Sequence, residues 1–183
     1  LLLISFGIAT ALTDFSKSIS KVQSYPATVC SGNKFDGVLT DLLPNSQTPV
    51  TSIPSHKNKL VKSGTSNFLT KSALLVDGGQ FTSTTILRGG NGWLGGVACS
   101  ISDGNDWFVG GSSNVASKGT LALINSGLSS AQVDINVYSS KASAVLAKPI
   151  PANSEVDIPL DSLAPGDNTI ALDVITRSGR VSS

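Results

Sequence analysis

The 183-residue chain is 40% hydrophobic, 14% charged and 5% aromatic, which suits one ordinary domain or two small ones and disfavours overall disorder. Thirteen Lys and Arg against twelve Asp and Glu leave a formal charge of +1, so no single-sign field exists to draw in a nucleic-acid backbone or an acidic membrane surface. A single His (His56), a single Glu (Glu155), two Cys and no Met remove most metal-ligand sets and most paired-carboxylate acid–base arrangements, so neither a cofactor nor a metal site is expected.

Leu1 to Leu12 carry no charge and are nearly all apolar, and the polar stretch Thr13 to Lys21 follows at once. Without Met, Leu1 is expected to be an internal or processed position. Residues 1–21 therefore read as a truncated membrane anchor or signal segment with its flank: twelve residues fall short of the roughly 20 that span a bilayer as a helix, and Ala9-Thr10-Ala11 has the small-x-small form of a signal cleavage site. Anchor and cleaved signal stay open. A buried helix of a soluble domain should show a polar face, which this segment lacks.

Residues 22–117 form the next division. Phe35–Leu39, Ala73–Val76, Phe81–Leu87 and Val97–Ile101 are strand candidates, forming a second sandwich or another sheet. Asp41 to Thr70 is rich in Pro, Ser, Thr and Asn and holds His56, Lys57, Lys59 and Lys62, so it reads mostly as a long exposed insertion. In an exported chain Cys30 and Cys99 would meet an oxidising environment and pair, closing a loop whose restriction is worth about 4 kcal/mol. Two buried free thiols would be the cytosolic alternative.

Three patterns in this division invite chemistry and fall short of it. Gly89 to Gly96 is glycine-rich but lacks the Lys-Ser/Thr of a phosphate loop, so turns or close-packed backbone explain it better. Asp103-Gly104-Asn105-Asp106 starts like a calcium loop, yet Trp107 follows and no distal acid completes it. A Ser-His-Asp triad would have to use His56, inside the expected insertion, and no Gly-x-Ser-x-Gly elbow is present. No catalytic residue is assigned. Trp93, Trp107 and Phe108 could form a platform for sugar rings, although two Trp in a β protein are expected to fill its core.

From residue 118 to 183 the pattern is clearest. Ala131, Val133, Ile135 and Val137 alternate with Gln132, Asp134, Asn136 and Tyr138, placing a dry face opposite a wet one. Val156, Ile158 and Leu160 alternate with Glu155 and Asp157, and Pro159 puts that strand at an edge or near its end. Ile170–Ile175 supplies another strand, and the unbroken apolar run Leu121–Ile124 suits a strand buried on both faces. Asn125-Ser126-Gly127, Pro151-Ala152-Asn153 and Ala164 to Asn168 carry turn chemistry. The expected fold is all-β, an antiparallel β-sandwich immunoglobulin-like in broad plan, in one or two units after an amino-terminal apolar helix. Ser178-Gly179 reads as a turn into a return strand that is expected to be cut short.

Cys99 to Gly111, in which a cysteine and a short turn precede Trp107-Phe108-Val109-Gly110, resembles an uncharacterised actinobacterial family, DUF5719. The likeness continues in order through Leu121–Gly127, Ala131–Tyr138, Pro151–Ser154, Leu160–Gly166 and Ser178–Val181, with an earlier trace at Val29-Cys30-Ser31-Gly32. Where that family often has Cys-Pro, this chain has Cys30-Ser31 and Cys99-Ser100. The resemblance implies an exported or membrane-anchored envelope protein, and no catalytic residue transfers with it.

The expected function is a non-enzymatic extracytoplasmic module, a scaffold or docking surface for envelope proteins, held to the membrane by the amino-terminal segment if that is uncleaved. The alternative is a module binding cell-wall glycan through Trp93 or Trp107 with neighbouring Asn and Asp side chains. A third option is an enzyme whose catalytic part lies outside this stretch.

Overall fold

Period-two alternation in a Ser/Thr-rich chain yields antiparallel ladders, and the chain is built almost wholly from them. The structure, a computed structural model, describes residues 27–32, 37–41, 47–54, 58–62, 64–68, 72–76, 84–90, 93–102, 104–141 and 143–183. The apolar segment 1–21 with its expected helix, His56 and Asp103 lie outside them.

The first half contributes β1 (Thr28–Cys30), β2 (Gly37–Asp41), β3 (Gln47–Ile53), β4 (Asn58–Lys62), β5 (Gly64–Phe68), β6 (Ala73–Val76), β7 (Thr84–Gly90), β8 (Trp93–Ala98) and β9 (Ser100–Ile101). The second half contributes β10 (Asn105–Gly111), β11 (Thr120–Asn125), β12 (Ala131–Ser139), β13 (Ser143–Ile150), β14 (Ser154–Pro159), the one-turn helix α1 (Leu160–Leu163), β15 (Ile170–Ser178) and β16 (Val181–Ser182). Four sheets result, ordered β4-β3-β6-β1-β9, β5-β2-β7-β8, β10-β15-β12-β13 and β14-β11-β16.

The last two sheets make a four-on-three sandwich. Its core joins Val133, Ile135 and Val137 of β12 and Ile170, Leu172 and Val174 of β15 to Leu121 and Leu123 of β11, Ile158 of β14 and Val181 of β16. Counting its seven strands from β10, the second pairs with the fifth and the third with the sixth, as in an immunoglobulin-like plan. The outer strands exchange sheets: the first, β10, lies beside β15, and the last, β16, beside β11. β10 thus adds residues before 118 to the sandwich. Gly179, at φ +89°, makes the turn into β16, and any Cβ there would collide with Ala131.

β11 explains its own unbroken apolar run. Leu121 and Leu123 enter the sandwich core, while Ile124 and Ala122 face the other way and pack with Val29, Ile53 and Ala73 of the five-stranded sheet. The central strands β1, β3 and β6 of that sheet are buried on both faces, since Cys30, Val50, Leu74 and Val76 form a separate cluster. Asn125 ends β11 fully buried. Its Nδ2 donates to the carbonyls of Ser129, Ile150 and Pro151 at 2.9, 3.1 and 3.0 Å, and its Oδ1 accepts from the Gly127 amide at 2.9 Å. An interior amide so fully paired fixes the Asn-Ser-Gly turn.

Much of the segment expected to be an exposed insertion is strand: β3, β4 and β5 fall within residues 41–70. Buried Val50 and Ile53 anchor β3 between β4 and β6. Pro49, which has no N–H to give, pairs with β4 at Leu60 but lies outside the β3–β6 ladder, which runs from Val50 to Ile53. Pro159 closes β14, an edge strand, as its missing donor requires. In the glycine-rich stretch, Gly89 faces Leu94 and Gly90 faces Trp93 across the antiparallel β7–β8 ladder.

The β1–β9 register pairs Thr28 with Ile101 and Val29 with Ser100, which brings Cys30 opposite Cys99. The two form a disulfide, with Cα atoms 4.5 Å apart. At the far end of the sandwich, buried Asp167 ties loops together. Its carboxylate accepts from the Ser140 amide and hydroxyl, each at 2.9 Å to Oδ2, and from the Thr169 amide at 3.3 Å. Burial alone would raise the Asp167 pKa, but the Ser140 hydroxyl, the Thr169 and Ser140 amides and the Ser139 hydroxyl outweigh it and hold the group below the ordinary carboxylate value.

Two outcomes are expected. Replacing Cys30 and Cys99 together by Ser should lower the unfolding free energy by about 2–5 kcal/mol in denaturant titrations, since the bond closes a 69-residue separation. A depressed folded-state pKa at Asp167 contributes stability that is present above the unfolded value of about 3.9 and is lost as pH falls through the folded one. Thermal melts below about pH 4 should therefore show a steeper acid loss for the native chain than for Asp167→Asn.

Candidate functional site

The outward face of the four-stranded sheet is set by the same alternation that fills the core. With Ile170, Leu172 and Val174 directed inward, Ala171, Asp173 and Ile175 point out, and Asp134, Asn136 and Tyr138 do the same on β12. On β10 the outward set is Asn105, Trp107 and Val109. The ladder aligns these into rows: Trp107, Asp173, Asn136 and Val145 cross the sheet side by side, and Val109, Ala171, Tyr138 and Ser143 form the next row.

Trp107 is 59% exposed, so it does not fill the core as its residue type suggested. Its ring reaches diagonally across β15, on the side where Ala171 takes up little space, and stacks on Tyr138 with centroids 5.7 Å apart and planes 14° from parallel. Tyr138 is 44% exposed and Val109 and Val145 are more so. The aromatic pair and these two valines together make an exposed apolar patch on this face of the sheet.

The polar groups of the face are placed beside this pair. Asn136 Nδ2 donates to Asp173 Oδ2 at 2.9 Å. Asp173 is buried, and its Oδ1 has no hydrogen-bond partner, a condition it shares among the described residues with Ser182 Oγ. An unpaired buried acceptor costs about 1–3 kcal/mol. Arg177 Nε contacts Asp134 Oδ2 at 2.7 Å along the same face. Both are solvent-accessible, so this ion pair adds little stability.

Of the residues singled out in the sequence, Trp107 stands on this face with Asn and Asp neighbours. Trp93 lies in β8, in a different sheet, and its side chain is outside the described residues. Phe108 points to the opposite side of β10 from Trp107 and lines a cleft instead. Cys30 and Cys99 are joined away from the face. Tyr138 as the stacking partner was not singled out, although the alternation had already put it on the wet face with Asn136. Among the described residues, no group of three His, Cys, Asp or Glu could hold a metal ion, and no helix is long and apolar enough to cross a membrane.

A family model described as a family of unknown function, DUF5719, matches residues 73–183, more than half of the chain. The match runs from β6 through the whole sandwich and includes Cys99, whereas the trace read around Cys30 lies before it. No curated protein and no solved structure matches the chain.

Because Trp107 is solvent-facing on a strand edge, Trp107→Ala should change the unfolding free energy by only about 0.5 kcal/mol. A loss of several kcal/mol in denaturant titrations would mark Trp107 as structural.

Proposed function

The chain belongs to DUF5719, a family of unknown function, and from its β-sandwich, its disulfide and its exposed aromatic face we propose a non-catalytic extracytoplasmic β-sandwich module that docks a cell-envelope component on the outer face of the β10-β15-β12-β13 sheet. Among envelope components, cell-wall glycan suits the chemistry of that face best. The observation carrying the reading is the exposed Trp107–Tyr138 stack beside the Asn136–Asp173 pair.

A pyranose ring offers an apolar C–H face and a rim of hydroxyls. Aromatic rings held by a stiff sheet complement the first, and the Asn136 amide with the Asp173 carboxylate complements the second. Rigid placement on strands lowers the ordering cost of binding. The Asp173 carboxylate disfavours a polyanionic ligand, since the Asp134 charge is already matched by Arg177, so the glycan is neutral or carries amino groups.

Action outside the cytoplasm is supported by the Cys30–Cys99 disulfide, since such bonds persist in oxidising compartments. The apolar segment Leu1–Leu12 is of the kind that tethers or exports a chain. A non-catalytic role is supported by the residue supply: one His and one Glu in 183 residues leave little material for acid–base or metal chemistry. A protein-docking scaffold is the second reading, favoured by the exposed apolar Val109 and Val145 flanking the aromatic pair.

Co-sedimentation with insoluble peptidoglycan and calorimetric titration with neutral oligosaccharides test the proposal. Saturable binding is expected, weakened about tenfold by Trp107→Ala or Tyr138→Ala, which is the loss of roughly one aromatic contact. Binding unaffected by both substitutions, or none to any glycan, would transfer the assignment to protein docking.

A further inference from the structure

The two sheets of the sandwich end on β10, β13, β14 and β16, and all but one of these edges are guarded. The β10 ladder is broken between Val109 and Gly111, where Gly110 sits at φ +89°. β14 carries Glu155 and Asp157 and closes on Pro159, and β16 is two residues long and buried. Bulges, charges, prolines and short strands are the devices that stop a sheet from pairing with another molecule. β13 lacks them over most of its length. Its eight residues pair with β12 from Ser143 to Ile150 without a register shift, and its one charged residue is Lys148, near the end.

Pro149 reveals which backbone groups this edge offers. A proline is accommodated in an edge strand with its nitrogen turned away from the neighbouring strand. Backbone groups of alternate residues point the same way, so Ser143, Val145 and Ala147 also present N–H and C=O to the open side, while the residues between them bond to β12. The side chains here are apolar on both faces. Val145 lies on the outer face and is 70% exposed, and Leu146, which points inward opposite Ile135, is still 39% exposed.

We propose that β13 is a homodimer interface: β13 of a second copy of this chain pairs antiparallel with it about a two-fold axis at Val145, joining two four-stranded sheets into one. The strand is its own complement in this register. Val145 faces Val145 and Ser143 faces Ala147, each pair exchanging two N–H···O=C bonds. Moving the axis to Leu146 would set Pro149 opposite Ser143 with no N–H to give, and moving it toward Ser143 would shorten the ladder. Apolar contacts form on both faces, Val145 on Val145 outside and Ala144 on Leu146 inside. Lys148 falls beyond the paired residues, so no like charges are brought face to face.

Sedimentation velocity on the full chain over a concentration series tests this, and a monomer–dimer equilibrium is expected. Because Val145 is exposed, Val145→Lys and Val145→Glu should each leave the circular dichroism spectrum unchanged. Each should weaken dimerisation at least about tenfold, since each sets two like charges together at the axis. An equimolar mixture of the two variants should recover the dimer, which association elsewhere on the molecule would not do. Trp107→Ala, at the opposite edge of the sheet, should leave the dimer unchanged, so failure here is separable from failure of the glycan reading. A native chain that stays monomeric up to about 1 mM would assign the edge to a strand of another protein and overturn the proposal. Association unaffected by Val145→Lys, or a mixture that stays monomeric, would also overturn it.

Discussion

The structure depends on β11 being buried on both of its faces. A strand normally has one dry side, but here Leu121 and Leu123 close the sandwich while Ile124 and Ala122 seal against the five-stranded sheet. Two cores therefore share one strand, and the halves of the chain cannot separate without exposing apolar surface on each side of it. Polar contacts reinforce this seam without replacing it: Ser102 Oγ donates to the Val181 carbonyl at 2.7 Å, and the Gly32 amide donates to Glu155. The buried Asn125 terminates the strand with its amide both donating and accepting, which stops the apolar run at a defined residue.

Both proposed surfaces follow from how faces and edges are allocated. The three-stranded sheet meets the four-stranded sheet on one side and, through β11, the five-stranded one on the other, while Asp157 of its edge strand β14 stays exposed. The four-stranded sheet keeps an outer face, and there the Trp107–Tyr138 stack and the Asn136–Asp173 pair occur. The β13 edge has a different origin, since the four-stranded sheet ends there on a regular strand with exposed apolar side chains.

How much was legible in the sequence varies with how local the cause is. β12 and β14 were readable to within a residue, and β15 from its first residue to three short of its last, because burial of one face imprints period two on the strand itself. Pro159 at the end of an edge strand was equally legible, since a missing donor acts where it stands. β3, β4 and β5 were read as an exposed insertion because Lys, Asn, Ser and Thr dominate there, and what makes them strands is pairing with partners elsewhere in the chain. β13 went unnoticed for the opposite reason. Its run from Ala144 to Ala147 is apolar without alternation, yet it lies exposed at a sheet edge.

By itself, the sequence determined that the chain would be antiparallel β and that the apolar run Leu121–Ile124 would be a buried strand, and it left the two cysteines either paired or free. Alternation, composition and residue count are properties of the chain, and they act before any sheet has found its neighbour. Tertiary structure alone decided that β10 joins β15, that Trp107 faces water, and that Glu155 meets Gly32 from the other half. The physical reason is that a pleat assigns side chains to two faces but cannot say which face another sheet will cover. That outcome depends on stacking between segments far apart in the chain, and at Trp107 it left an aromatic ring in solvent where hydrophobicity alone would have buried it.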